Sequence, residues 1–207
     1  MQESNWAIEH LQVIRTLMER SAVYRRTLAP IMLFVGALGL LASVVGITFH
    51  LDALRIFCGL WLSTAVLALA GAFLIARRHA LKDHDCFWSS PTRRVAEALL
   101  PALAAGLFFS AALVVFNPED RRLLFIFPNL LFYGCAVHAV GFFMPRGMKL
   151  FGWLIIVLAG VALLVVPMLE TDPNPRLDHA LMGFFFGVLH LAYGVYLHFT
   201  EKGKNAT

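Results

Sequence analysis

Charge is what this sequence has least of. Asp, Glu, Lys and Arg make up 14% of the 207 residues, where a soluble domain carries about 25%. Hydrophobic residues reach 59% and the mean hydropathy is +0.74. That balance excludes a soluble globular domain, and it excludes a disordered chain, which needs the opposite composition. Cysteine is scarce as well. Cys58 and Cys135 fall in apolar runs and Cys86 in a basic loop, so no disulfide framework is expected. No cleavable leader is expected, because the first 28 residues are polar and helical in pattern and the first apolar run is already long enough to span.

Catalytic signatures are missing too. There is no His-Glu-x-x-His for a metalloprotease, and Ser43, Ser63 and Ser110 lack a Gly-x-Ser setting. The four lysines, Lys82, Lys149, Lys202 and Lys204, lie outside the apolar runs, which excludes a retinal Schiff base. No Asp, Glu, Lys or Arg occupies the middle of an apolar run, which argues against an ion-coupled transporter or proton pump. The formal net charge of +4 comes without an aromatic-interleaved basic stripe, so nucleic-acid binding is not expected.

What is present is apolar length. A helix needs about 20 apolar residues to cross a bilayer, and six stretches qualify: 29–49, 56–76, 98–116, 123–144, 151–169 and 179–199. The expected fold is all-α, a polytopic bundle of six transmembrane helices forming one domain over 29–199. A cytoplasmic tail over 200–207 follows it. Of the 17 Lys and Arg, 13 fall in the N-terminal segment, the second and fourth connections and the tail. The positive-inside rule then places both termini in the cytoplasm, in the inner membrane of a bacterium.

Residues 1–28 read as an amphipathic cytoplasmic helix. Ala7, Leu11, Ile14 and Met18 lie on one face, Glu9, Gln12, Thr16 and Glu19 on the other. Such a helix lies in the lipid interface, covers the bundle's cytoplasmic ends, or pairs with a cytoplasmic partner or a second copy.

Two histidines fall within spans, in settings that rhyme. The fourth span reads Tyr133-Gly134-Cys135-Ala136-Val137-His138-Ala139-Val140-Gly141, and the sixth Gly187-Val188-Leu189-His190-Leu191-Ala192-Tyr193-Gly194. At helical spacing each set forms one stripe. One reading makes His138 and His190 the axial ligands of a b-type haem. Gly134, Gly141, Gly187 and Gly194 would give the ring room, Phe132, Phe142 and Phe186 would pack on it, and Tyr133 and Tyr193 would bond around it. The simpler reading makes the imidazoles interhelical hydrogen-bond glue and the glycines sites of close packing.

Weaker clusters are two. His79, Asp83, His84, Asp85 and Cys86 match no zinc spacing and read as a solvated loop. His50, Asp52, Asp172, Asp178 and His179 are metal-competent, although Asp52 and Asp178 read more simply as helix N-caps. Pro128 should loosen the fourth helix, with Asn129 bonding the carbonyl it frees. Small residues mark expected helix contacts: Gly36, Gly39 and Ser43; Gly59 and Ser63; Gly106 and Ser110.

The stretch from Phe186 to Gly194, with the opening Ile8-Glu9-His10-Leu11 to Met18-Glu19-Arg20, resembles a group of bacterial six-span membrane proteins with no assigned reaction. The resemblance implies a neighbourhood of transcriptional regulators, hence sensing or regulation. Three functions stay open: a non-enzymatic sensor, regulator or ligand-binding protein; a haem-binding redox protein; and a carrier or channel for a small uncharged solute.

Overall fold

Apolar runs this long satisfy their backbone groups in lipid only as helices, and every regular element among the described residues is helical. The computed structural model describes residues 27–82, 88, 90–116, 122–144, 146–169 and 174–204. The amphipathic helix expected over 1–28 lies outside them except for Thr27 and Leu28. The elements are α1 (Thr27–Thr48), α2 (Leu54–Lys82), α3 (Ser90–Phe116), α4 (Arg122–Val140) and α5 (Arg146–Leu169). The sixth begins as α6 (Pro175–Met182), widens into a π-helical segment over Gly183–Val188, and continues as α7 (Leu189–Lys204). Among the described residues six helices are long and apolar enough to cross a membrane, the sixth over Pro175–Thr200.

The helix ends differ from the apolar runs where local chemistry overrides hydropathy. α2 runs to Lys82, past the last apolar residues, because Arg77, Arg78 and His79 are content in a helix once it leaves hydrocarbon. α4 stops at Val140 rather than 144. Phe142 and Phe143 bond three residues back, to Ala139 and Val140, and Pro145 blocks any continuation. The sixth helix runs to Lys204, so most of the expected tail is helical. Asn174, not Asp178, caps α6: its side chain accepts from the N–H groups of Arg176 and Leu177, and Pro175 takes the first helical position. α1 ends in a Schellman-type turn, with Leu51 N–H bonded to Gly46 O at 3.1 Å and His50 in the left-handed region at φ 49°.

Hydrocarbon gives helices no hydrophobic reason to associate, so close approach of backbones has to supply it. α1 lies antiparallel along the sixth span on a ladder of small residues. A Cβ on Gly39 would stand 2.6 Å from the Phe186 carbonyl, and one on Gly36 2.7 Å from Leu191. From the other side, a Cβ on Gly187 would meet Leu40 at 2.6 Å and one on Gly194 would meet Leu33 at 3.0 Å. α4 and α5 mesh the same way: a Cβ on Gly152 would stand 2.5 Å from the His138 nitrogen, and one on Gly141 2.6 Å from that of Lys149. α4 is central, with Phe125, Ile126, Phe127 and Leu130 buried. α2 is buried only through Leu54, Phe57, Cys58 and Trp61, near its start.

The expected small-residue contacts hold in α1 and α3. Ser110 is fully buried, donates to the Gly106 carbonyl at 2.8 Å and accepts from Asn129 Nδ2 at 2.9 Å, which ties α3 to α4. They fail in α2, where Gly59 has nothing within 4 Å of a built Cβ and Ser63 is exposed. Asn129 also donates to the Phe125 carbonyl at 2.8 Å, rather than to the Leu124 carbonyl that Pro128 leaves without its usual donor. The reason is reach: a side chain back-bonds one turn below its own position.

Gly39→Ala should destabilise the protein by on the order of 1–3 kcal/mol, because it would press on the Phe186–Gly187 backbone of the sixth span rather than on a movable side chain. Gly59→Ala should stay within about 1 kcal/mol of wild type, on the stabilising side. Thermal unfolding of both variants in one detergent checks the contrast.

Candidate functional site

Besides the Ser110–Asn129 pair between α3 and α4, two polar clusters are buried among the described residues, and the sixth span contributes to each. The first sits at the end that carries the α1–α2 connection. Arg122, first residue of α4, donates through Nε to Asp178 Oδ2 at 2.6 Å, with both side chains 3% exposed. Its Nη1 also donates to the backbone carbonyl of Asp52. These bonds bring the first connection and the starts of α4 and α6 to one end of the bundle. The next residue, His179, is fully buried. Its Nδ1 accepts from Trp61 Nε1 at 3.3 Å and its Nε2 faces the Leu51 carbonyl at 3.3 Å, so the neutral ring carries its proton on Nε2. Its carbonyl accepts from Ser43 Oγ at 2.8 Å, and its ring lies 4.7 Å from that of Phe57. Glycine makes this possible, since a Cβ on Gly46 would stand 2.3 Å from the imidazole.

The second cluster lies about three turns further along. His190 is fully buried. Its Nδ1 bonds the Phe185 carbonyl at 2.9 Å and its Nε2 bonds the Tyr133 hydroxyl at 2.6 Å. With a neutral ring, Nδ1–H donates to the carbonyl and Nε2 accepts from the tyrosine. Phe185 is five residues back, inside the π-helical segment, where Leu189 N–H likewise reaches five residues back to Phe184 O. π-turns inside α-helices collect at functional sites. Phe186 stacks at 6.0 Å and Phe151 stands edge-on at 5.1 Å, which closes the ring in.

The structure unites some of the expected site residues and separates others. Tyr133 and His190 meet. His138 does not join them: it stands five residues after Tyr133, about 140° further round α4. Its ring neighbours are Phe142 at 5.4 Å and Trp153 at 5.5 Å, and its Nδ1 faces the Lys149 carbonyl at 3.4 Å. Tyr193 stacks flat on Phe151 at 4.6 Å. The space beside Gly134, Gly141, Gly187 and Gly194 is taken by Ile156, Lys149, Leu40 and Leu33. Phe132 turns to Phe109 on α3, 6.3 Å away, and Phe142 is exposed. Both nitrogens of His190 are thus engaged within the protein, and the two imidazoles share no ring neighbour. As placed, these residues do not fit a bis-histidine haem.

No group of three metal-competent side chains occurs among the described residues. Asp178 is ion-paired and His179 is bonded at both nitrogens, while Asp83, His84, Asp85, Cys86 and Asp172 lie outside the described residues. The Arg122–Asp178 pair was missed by the sequence reading because each residue stands one position outside an apolar run, where charge reads as solvated. A signal was available: both fall at the same end of the chain's up-and-down path. No family model, curated protein or solved structure matches this chain.

Arg122→Met should cost about 3–5 kcal/mol by leaving Asp178 buried without its cation, and Arg122→Met/Asp178→Leu should recover most of that loss. Unfolding in mild detergent measures the cycle. A second expectation concerns haem. Haem added to the purified protein should give the same Soret absorption in wild type and in His138→Ala/His190→Ala. A band present in the first and lost in the second would restore axial ligation.

Proposed function

We propose that this chain is a multi-pass protein of a bacterial cytoplasmic membrane, both ends in the cytoplasm, that senses or regulates rather than catalyses. The bundle is the receiver and residues 1–26 are the output, through a cytoplasmic partner or a second copy. One observation carries the reading: Asp178 and His179 on one side and His190 on the other are buried on the sixth span, and the π-helical segment between them lies against α1. Signalling requires an element with two arrangements, and we take the π-turn, a local departure from α-geometry, as that element. His190 holds it to Phe185 and Tyr133. Gly183 and Gly187 press it on Ser43 and Leu40 of α1, and α1 leads directly into residues 1–26. The orientation rests on the 13 basic residues assigned to one side.

The test perturbs the receiver and reads the output. Tyr133→Phe removes the hydroxyl that His190 accepts from, at a cost of about 0.6–1.7 kcal/mol in a membrane bundle, which leaves the fold intact. Hydrogen exchange in residues 1–26 should change in this variant. In the host, the full chain should restore the transcript profile of a deletion strain and the chain lacking residues 1–26 should not. Unchanged exchange together with full rescue by the shortened chain would remove the sensor reading.

A further inference from the structure

The first turn of α5 lies at the opposite end of the bundle from Arg122 and carries positive charge. Helix starts carry free N–H groups and a positive dipole end, so acidic residues favour that position and lysine is out of place there. The first turn of α5 holds no acidic residue and does hold Lys149. Among the described residues the partner of its ammonium is the face of the Phe142 ring, 3.6 Å from the centroid. One turn on, at the i+4 position, stands Trp153, 53% exposed. His138 fits between the two residues. Its ring is edge-on to both Phe142 and Trp153, and its Nδ1 faces the Lys149 carbonyl. Gly141 lets the lysine approach, since any Cβ there would stand 2.5 Å from Lys149 Cγ.

Beyond Trp153 the same strip of α5 is apolar and uncovered. Val157, Val161 and Leu164 are exposed, and Gly160 leaves a furrow with nothing within 4 Å. A cation and an exposed tryptophan thus stand one helical turn apart, at the head of an apolar strip. We propose that this strip is a binding site for one anionic phospholipid. Its phosphate lies between the Lys149 ammonium, the Trp153 indole and the start of α5, and an acyl chain runs along Val157 and Gly160. The partner is a lipid rather than a soluble phosphate, because the furrow continues the charged locus into the apolar strip. In the orientation proposed above, the lipid belongs to the cytoplasmic leaflet, where anionic headgroups and basic residues meet.

Full-length protein in nanodiscs of mixed phosphatidylglycerol and phosphatidylcholine tests this, with native mass spectrometry counting the retained lipids. Wild type should retain phosphatidylglycerol over phosphatidylcholine. Lys149→Gln should hold it about fivefold less well, the value of one basic residue at an anionic surface. Lys149→Arg should restore retention, which separates the site from misfolding. Brominated phosphatidylglycerol should quench tryptophan emission in wild type and much less in Trp153→Phe. No preference in wild type, or equal retention by Lys149→Gln, overturns the proposal. So does displacement of the lipid by millimolar inorganic phosphate, which would make the site one for a soluble anion. Because the nanodisc is symmetric and residues 1–26 are not read, failure here is distinct from failure of the sensor reading.

Discussion

Hydrocarbon surrounding a helix removes the force that holds soluble proteins together. Lipid tails are as apolar as leucine, so exposing leucine to them costs nothing, and α2, α3 and α5 do so freely through Val66, Phe108 and Leu164. Association then depends on two things: backbones that come close enough for dense van der Waals contact, and a few hydrogen bonds that hydrocarbon cannot replace. The glycine ladders of α1 with the sixth span and of α4 with α5 supply the first. Ser110–Asn129, Arg122–Asp178, Trp61–His179 and Tyr133–His190 supply the second.

The two kinds of contact fall together on the sixth span. Gly183, Gly187 and Gly194 turn towards α1, while Asp178, His179 and His190 turn towards α2 and α4. One helix therefore holds the bundle from both sides, and the π-helical segment lies between the two polar anchors. A break in regular α-geometry is tolerated there in part because the His190 ring bonds the Phe185 carbonyl.

Histidine at 138 and 190 illustrates how a shared motif parts in space. Both residues sit among glycines, and on paper they suggest one site. On α4, however, the face that meets His190 is the Tyr133 face, and His138 lies about 140° from it. There it joins Phe142, Lys149 and Trp153 near the start of α5. The first histidine belongs to the surface that meets lipid and the second to the interior.

Composition and run length determined the class of this protein, because only a helix buries its own backbone bonds and only long apolar runs cross a bilayer. The six helices and the close-packing small residues of α1 and α3 follow from spacing within single elements. What joins different elements was not legible. Arg122 and Asp178 are 56 positions apart, and nothing local tells either that the other is near. His179 reads as a metal-competent residue at the start of the sixth span until α2 brings Trp61 to it, and Gly59 reads as a contact until α2 is seen to turn it outward. Periodicity specifies which residues share a helix face. Which face meets which neighbour is decided by the packing of all six helices at once.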